Sequence, residues 1–435
     1  FNIPAQALDA AVTAFGRQSG WQVSVDQSVL AGRASPGVVG RMSPRDALQR
    51  LLAGTGVTWR MSDPKTVLLL KAPQSSDAMT LDPVTVEGAK ESAWGPVRGY
   101  VATRSAAGTK TDTPLVETPQ SVSVVTRDQL EARGARNMGQ ALAYTAGAAT
   151  GRRGESSSFG GDNVTIRGFG GTGTAGASSN EYVDGLRLMG TNYVTSGFDT
   201  YLYERIDVLK GPASVLYGQG QPGGVVNAVS RRPQATPGGE IVGQIGSHEH
   251  LQGAFDVTGP LDAEGTLLYR LTGLGLDSDA QTNFMQRRRV AVAPAFTWRP
   301  TADTSLTLLA SYQRDDITGS PLNYVPAYGS VLANPNGEIA RDLYTGEPTF
   351  DDWRRTSKSI GYLFEHRFDD TWTVRQNARY LHNDLTFKTV YPTALAANGR
   401  TLSRSAFTAQ EGSDAVAIDN QAQAKFATGP LRHTV

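Results

Sequence analysis

Gly218-Gln219-Gly220-Gln221-Pro222-Gly223 has the Gly-x-Gly-x-x-Gly spacing of a loop that can cradle phosphate. Such a loop binds a dinucleotide only where it follows a parallel strand and opens a helix whose N-terminus faces the pyrophosphate. Here Pro222 interrupts, and Val225-Val226-Asn227-Ala228-Val229 continues as a β-branched, strand-like run. The glycines are therefore expected to permit tight backbone bends rather than to bind a nucleotide. His248 and His250 stand two apart, a spacing that on a strand puts both on one face and could hold a metal. The chain has only five histidines, and Glu249 between this pair points the opposite way, so ordinary wall residues are the expectation. With no cysteine there is no disulfide, thiolate metal site or Cys nucleophile. No Ser/His/Asp set or carboxylate pair has a supporting motif. No catalytic residue and no protein metal ligand is expected, and the chain is not read as an enzyme.

The elements that would position any site follow from composition and period. The 435 residues suffice for two or three domains. Forty-one basic residues balance 41 acidic ones, so no broad field for nucleic acid exists. No apolar run reaches the ~20 residues of a membrane-spanning helix. That leaves open membrane-spanning strands, whose alternation averages to near-neutral hydropathy, and the mean hydropathy is −0.31. A start at Phe1 with no leader reads as a mature, processed protein.

Residues 1–71 read as a small α/β domain. Leu8, Val12 and Phe15 share a helical face, and Trp21, Val23 and Val25 alternate as a strand. Ser43-Pro44-Arg45-Asp46 has the cap, Pro and acid of a helix start. Val57-Thr58-Trp59 and Val67-Leu68-Leu69-Leu70 form a hairpin around Asp63-Pro64. Residues 72–99 are polar and read as a linker, with a short β-prone hexapeptide at Asp82-Pro83-Val84-Thr85-Val86-Glu87. Residues 100–233 begin with a strand and two helices, whose caps pair Thr126 with Gln129 and Asn137 with Gln140. Strands at Thr165–Phe169 and Tyr182–Arg187 follow, and then the run Glu204–Pro233. Residues 234–435 alternate with period two: Val290, Val292, Phe296 and Trp298 on one face, Ala291, Ala293, Ala295 and Thr297 on the other. Short turns such as 299–303 oppose a long loop placed at 315–356. That asymmetry belongs to an outer-membrane barrel.

These strings carry a family resemblance. FNIPAQALDAAVTAFGRQSG and ALQRLLAGTGVTWR look like the secretin/TonB short N-terminal signalling domain. The hexapeptide at 82–87 is similar to a TonB box, which pairs as an added strand with its coupling protein. ETPQSVSVVTRDQLEARGARNMGQAL, TIRGF, YVDGLR and ERIDVLKGPASVLYGQGQPGGVVNAVSRRP together resemble the plug of TonB-dependent outer-membrane receptors. With GYLFEHRFDDTWTVRQNARY, the plug is similar to that of the ferric-hydroxamate group, the ferrichrome and ferrioxamine receptors.

The resemblance implies a multi-domain chain: an α/β signalling domain, an α+β plug and the N-terminal part of an antiparallel transmembrane β-barrel of about 22 strands. Roughly eight or nine strands of about ten residues fit before Val435. The barrel is thus expected to be cut short, with no closing strand after the run at 422–435. It also implies import of a ferric siderophore, whose own oxygens fill iron's coordination sphere. Iron then arrives chelated, so no cofactor is expected, and the receptor needs donors, positive charge and aromatic surface. Carried over by position, the ligand contacts are Arg153, Tyr193 and the Gly173-Thr174 pair. Asn192 stands where the group has an aromatic residue. Arg167 and Lys210 match the basic residues that lock plug to barrel, with acidic partners expected beyond Val435. The implied partners are the ferric siderophore, the TonB-ExbB-ExbD complex, an inner-membrane anti-sigma regulator and outer-membrane lipid. The receptor is expected to be a monomer, with its signalling domain in the periplasm. Receptors for haem, cobalamin or a glycan would share the plug. A secretin-type assembly protein would share only the first domain.

Overall fold

The computed structural model describes residues 1–63, 65–71, 91–150, 164–170, 180–190, 193–194 and 197–435. The chain divides into two compact units, Phe1–Gly88 and Ala89–Val435.

In the first unit, helix α1 (Leu8–Ser19) buries Leu8, Ala11, Val12 and Phe15. The sheet of β1 (Gln22–Ser24), β2 (Val57–Asp63) and β3 (Thr66–Lys71) has the order β1-β3-β2. Helix α2 (Pro44–Leu51) starts where Ser43 accepts a hydrogen bond from the Asp46 amide, with Pro44 at its first position. Such a cap stabilises a helix by about 1 kcal/mol. Ala47, Leu48 and Leu51 then close a core with Phe15, Val67 and Leu69.

The second unit starts earlier than residue 100. Ala93 and Val97 are buried, and Glu91 accepts hydrogen bonds from the Thr103 amide (2.8 Å) and hydroxyl (2.7 Å). The plug sheet contains β4 (Ser121–Thr126), β5 (Glu181–Val183), β6 (Leu186–Arg187), β7 (Tyr203–Lys210) and β8 (Gly224–Ser230). Their order is β4-β7-β8-β5-β6, with β8 and β5 parallel and the other pairs antiparallel. Both expected caps are present: Thr126 opens α3 (Arg127–Ala132), and Asn137 opens α4 (Met138–Leu142).

The run Glu204–Pro233 forms β7, a short helix α5 (Ser214–Tyr217) and β8, so the glycine motif leads into a strand and not a helix. Two of its glycines are demanded by close approach. A Cβ on Gly223 would sit 2.1 Å from the Ile166 carbonyl oxygen, and one on Gly224 would sit 2.0 Å from that of Leu209. Gly224 also has a φ of +137°, a region L-residues avoid.

The strand read at Thr165–Phe169 is shorter than its sequence pattern. Only Thr165–Ile166 is strand, paired with Ala148–Ala149. Arg167 and Gly168 turn with φ values of +52° and +84°, the double positive φ of a tight hairpin turn. The Ile166 and Phe169 amides each donate to the other's carbonyl at 3.0 Å across it.

From Gly238 the chain is one meander of nine antiparallel strands. These are β9 (Gly238–Gly246), β10 (His250–Pro260), β11 (Leu267–Asp279), β12 (Gln286–Thr301), β13 (Thr304–Thr318), β14 (Asp352–Arg367), β15 (Trp372–Leu395), β16 (Leu402–Thr428) and β17 (Leu431–Thr434). Their order is sequential and open, with β9 and β17 at the two edges. Val290, Trp298 and Ile360 are exposed on the outer face. Arg289, Thr297, Asp315 and Ser357 are buried on the inner face, against the plug. Apolar-out, polar-in alternation is what a lipid-facing wall requires. The plug core, built on Ile166, Ile206, Val208 and Val226, is continuous with the wall residues Ala254, Leu274, Ala291 and Leu381.

Three sequence readings change here. His248 is not on a strand with His250: it occupies the β9–β10 turn with a φ of +59°, and Glu249 follows at +51°. His250 instead meets Arg136 of the plug, Nδ1 to Nη1, at 3.0 Å. The long loop is 319–351 and not 315–356, because both flanking strands continue beyond the apolar belt with charged residues. The run 422–435 is a hairpin rather than one strand, turning at Gly429-Pro430.

Candidate functional site at the plug apex

The register of the wall assembles this site. Pairing aligns Arg289 with Asp315, Asp315 with Arg355, Arg355 with Leu385 and Leu385 with Glu411, one row across β12 to β16. The adjacent row carries Ile317, Trp353, Phe387 and Ala409. Side chains of both rows point inward because each strand contributes residues of one parity.

The plug residues 193–194 and 197–199 lie along that polar row. Glu411 Oε2 accepts the Tyr193 amide at 3.0 Å and the Val194 amide at 3.3 Å. The Gly197 carbonyl accepts from Arg355 Nη2 at 2.9 Å and from Gln313 Nε2 at 3.0 Å. The Asp199 amide donates to Gln313 Oε1 at 2.8 Å. Asp199 Oδ2 accepts from Arg289 Nη1 at 2.7 Å, while its Oδ1 caps the 3-10 turn Thr200–Leu202 through the Tyr201 amide. Asp315 joins Arg289 (2.5 Å) to Arg355 (2.8 Å). Each of these contacts between the plug segment and the wall joins residues 90 or more positions apart in sequence.

Above the polar row, Tyr193 enters an aromatic cluster. Its ring lies 5.1 Å from Phe407 and 5.8 Å from Phe387, distances at which tilted rings attract. Val194, Trp353, Met285, Ile317 and Leu385 are buried beneath them. Tyr193 itself is half-buried, leaving part of the ring accessible. Tyr344 of the long loop reaches the same cluster, its hydroxyl bonded to Asp351. Burial and that carboxylate push the Tyr344 phenol above its usual range, so it stays a neutral donor. Such a surface can hold a bulky, already-chelated cargo by ring contact and hydrogen bonds. Among the described residues, no group of three or more carboxylates and imidazoles could hold a bare metal ion.

Of the sequence-derived contacts, Tyr193 is in this cluster. Arg153, Gly173, Thr174 and Asn192, and the hexapeptide Asp82-Pro83-Val84-Thr85-Val86-Glu87, lie outside the described residues. Arg167 and Lys210 are brought close to each other. Burial first, and Arg167 second, press the Lys210 amine below its usual range. Neither forms an ion pair with a carboxylate among the described residues.

Other pairs join plug to wall: Lys110–Asp419 (2.7 Å), Asp184–Arg379 (2.8 Å), Arg231–Asp256 (3.1 Å) and Glu204–Arg270 (3.3 Å). Sequence reading missed these pairs, together with Glu411, Arg355, Gln313, Phe387 and Phe407. The available signal was charge and aromatic residues on the inner parity of strands whose outer parity is apolar.

Residues 21–72 match the Secretin and TonB N terminus short domain, and residues 114–225 match the TonB-dependent Receptor Plug Domain. The chain is 38% identical over 375 residues to the ferrichrome outer membrane transporter/phage receptor of Escherichia coli, covering 81% of this chain and 49% of that protein. It is 39% identical over 327 residues to the ferrioxamine B receptor of Salmonella typhimurium, covering 75% of this chain and 45% of that one. The chain thus spans about half the length of the relatives it matches. In fold it is similar to the Pseudomonas aeruginosa FpvA structure with heterologous pyoverdines, at TM-score 0.68 and 22% identity, over 100% of this chain and 54% of that one. Family and fold are those of transport receptors and not of enzymes. No helix among the described residues is long and apolar enough to cross a membrane, which says nothing about strands. The chain belongs to the TonB-dependent receptors, with the short N-terminal domain of secretins and TonB receptors ahead of its plug.

Proposed function

We propose that this chain serves the energy-coupled import of a ferric hydroxamate siderophore across the outer membrane. The observation that carries the reading is the half-buried Tyr193, packed against Phe387 and Phe407 where a plug apex meets its wall. Two relatives named for ferrichrome and ferrioxamine B, at 38% and 39% identity, support the cargo class. The chelate docks on Tyr193 and its aromatic neighbours, with Arg153, Gly173, Thr174 and Asn192 as further contacts. Iron stays inside the siderophore throughout, so it is cargo, and the protein uses no resident cofactor.

Docking then makes the strand Asp82–Glu87 available to the TonB-ExbB-ExbD complex. Strand addition gives that complex a main-chain grip that tolerates force. Arg167 and Lys210 lock the plug to carboxylates of the wall until force is applied. The unit at 1–71 contacts an inner-membrane anti-sigma regulator in the periplasm and induces the receptor's own genes. The receptor works as a monomer, its apolar outer face in contact with outer-membrane lipid.

The test is titration of the purified intact receptor with ferric ferrichrome, ferric ferrioxamine B, haem and cobalamin. Saturable binding of a hydroxamate alone is expected, and binding of haem or cobalamin alone would replace the cargo class.

A further inference from the structure

Tyr193 belongs to the plug in sequence, yet among the described residues its amide is held by the wall. Its amide and that of Val194 both donate to one carboxylate oxygen of Glu411, on wall strand β16. Two consecutive amides converging on one anionic oxygen form a small nest, a stronger arrangement than two neutral bonds. The next contacts along the segment also go to the wall: Gly197 to Arg355 and Gln313, and Asp199 to Gln313 and Arg289. At Asp199 the chain also bonds back into the plug, its carboxylate and carbonyl accepting from the Tyr201 and Leu202 amides, and the Thr200 hydroxyl donates to the Ala135 carbonyl at 2.5 Å.

We propose that Glu411 is a positioning residue for the cargo site, fixing Tyr193 against Phe387 and Phe407 and mooring the backbone at Tyr193 and Val194 to the wall. Phe407 and Glu411 lie on the same strand four residues apart, on the same parity, so ring and carboxylate shift together. Phe387 lies on β15, paired directly with Ala409 between them. The wall therefore fixes the Tyr193 ring and two of its aromatic neighbours as one rigid group. When the plug is remodelled, this aromatic side of the site stays in place while contacts on the plug itself are withdrawn, and the cargo loses those contacts. The assignment rests on the proposed chelate site.

Two readouts on the intact receptor separate mooring from cargo. Hydrogen–deuterium exchange over the segment containing Tyr193 and Val194 should be slow in the wild type and in Glu411→Gln, which keeps an acceptor oxygen. In Glu411→Ala it should be about tenfold faster or more. Equal exchange in all three overturns the mooring. For binding, ferric ferrichrome and ferric ferrioxamine B are the probes in a double-mutant cycle. Tyr193→Ala and Glu411→Ala should each weaken the probe that binds by about tenfold, and together no more than Tyr193→Ala alone. Glu411→Gln should bind like the wild type. Additive losses, or unchanged binding in Glu411→Ala, overturn the positioning role. If the wild type binds neither probe, the proposed cargo falls, and the amide exchange alone decides whether Glu411 moors the segment.

Discussion

The two halves of the plug are built on opposite principles. The sheet unit β7–α5–β8 is determined by its own residues: buried strands, a short helix and two glycines pressed against neighbouring carbonyls. The apex residues 193–194 and 197–199 belong to no helix or strand and are hydrogen-bonded to Glu411, Arg355, Gln313 and Arg289 on the wall. One half is a scaffold that keeps its form wherever it goes. The other is a strap whose form belongs to the wall. For the proposed importer, which would hold cargo at one moment and move its plug at the next, that division is useful.

The sharpest break should come from the scaffold. In Gly224→Val the new side chain meets the Leu209 carbonyl, in a backbone region closed to β-branched residues. A loss of about 4 kcal/mol or more is expected, read as protease sensitivity of the plug. Normal protease resistance would mean that the β7–β8 unit is not as rigid as argued. Next is coupling. Val84→Pro removes a ladder donor from the proposed TonB-contacting strand and should abolish iron uptake while cargo binding is unchanged. Undiminished uptake sinks that role for 82–87.

The strap should respond more mildly. Arg289→Ala strands Asp199 and half of Asp315 in a buried setting, a loss of about 3 kcal/mol by denaturant midpoint. Adding Asp199→Asn should return part of it, and no recovery would mean that the pair is not the strap's anchor.

The smallest effect concerns Lys210. Its depressed amine disfavours the charged form in the folded state. The penalty is therefore full below the folded pKa and gone above the unfolded value near ~10.4. Taken with the described residues alone, Lys210→Met should stabilise slightly at neutral pH, with the gain fading as pH rises into that range. Destabilisation instead would mean that a wall carboxylate reaches Lys210, as the proposed lock requires.

Local signals made much of this fold legible. Ser43, Thr126 and Asn137 cap the helices their sequence patterns announced, and period two separated the wall's outer apolar face from its inner polar one. What stayed hidden was register. The row Arg289-Asp315-Arg355-Leu385-Glu411 exists only once five strands are paired, and its members stand up to 122 residues apart (411 minus 289). Turns misled in a different way. Arg167 and His248 both take positive φ, a state uncommon outside glycine even for His, which visits it more often than Arg, so a turn was read as strand in each case. Tyr193 was singled out because the resemblance implies an aromatic contact at that place. Its neighbours Phe387 and Phe407 were not, because nothing local marks which inward ring faces the apex.

The proposed function requires that the Tyr193 cluster hold a chelate. The direct measurement is equilibrium titration of the intact receptor with ferric ferrichrome and ferric ferrioxamine B, beside its Tyr193→Ala variant. Saturable binding of at least one hydroxamate, weakened about tenfold or more in the variant, is the predicted result. Equal affinity in the two proteins would contradict it and place the cargo elsewhere on the receptor.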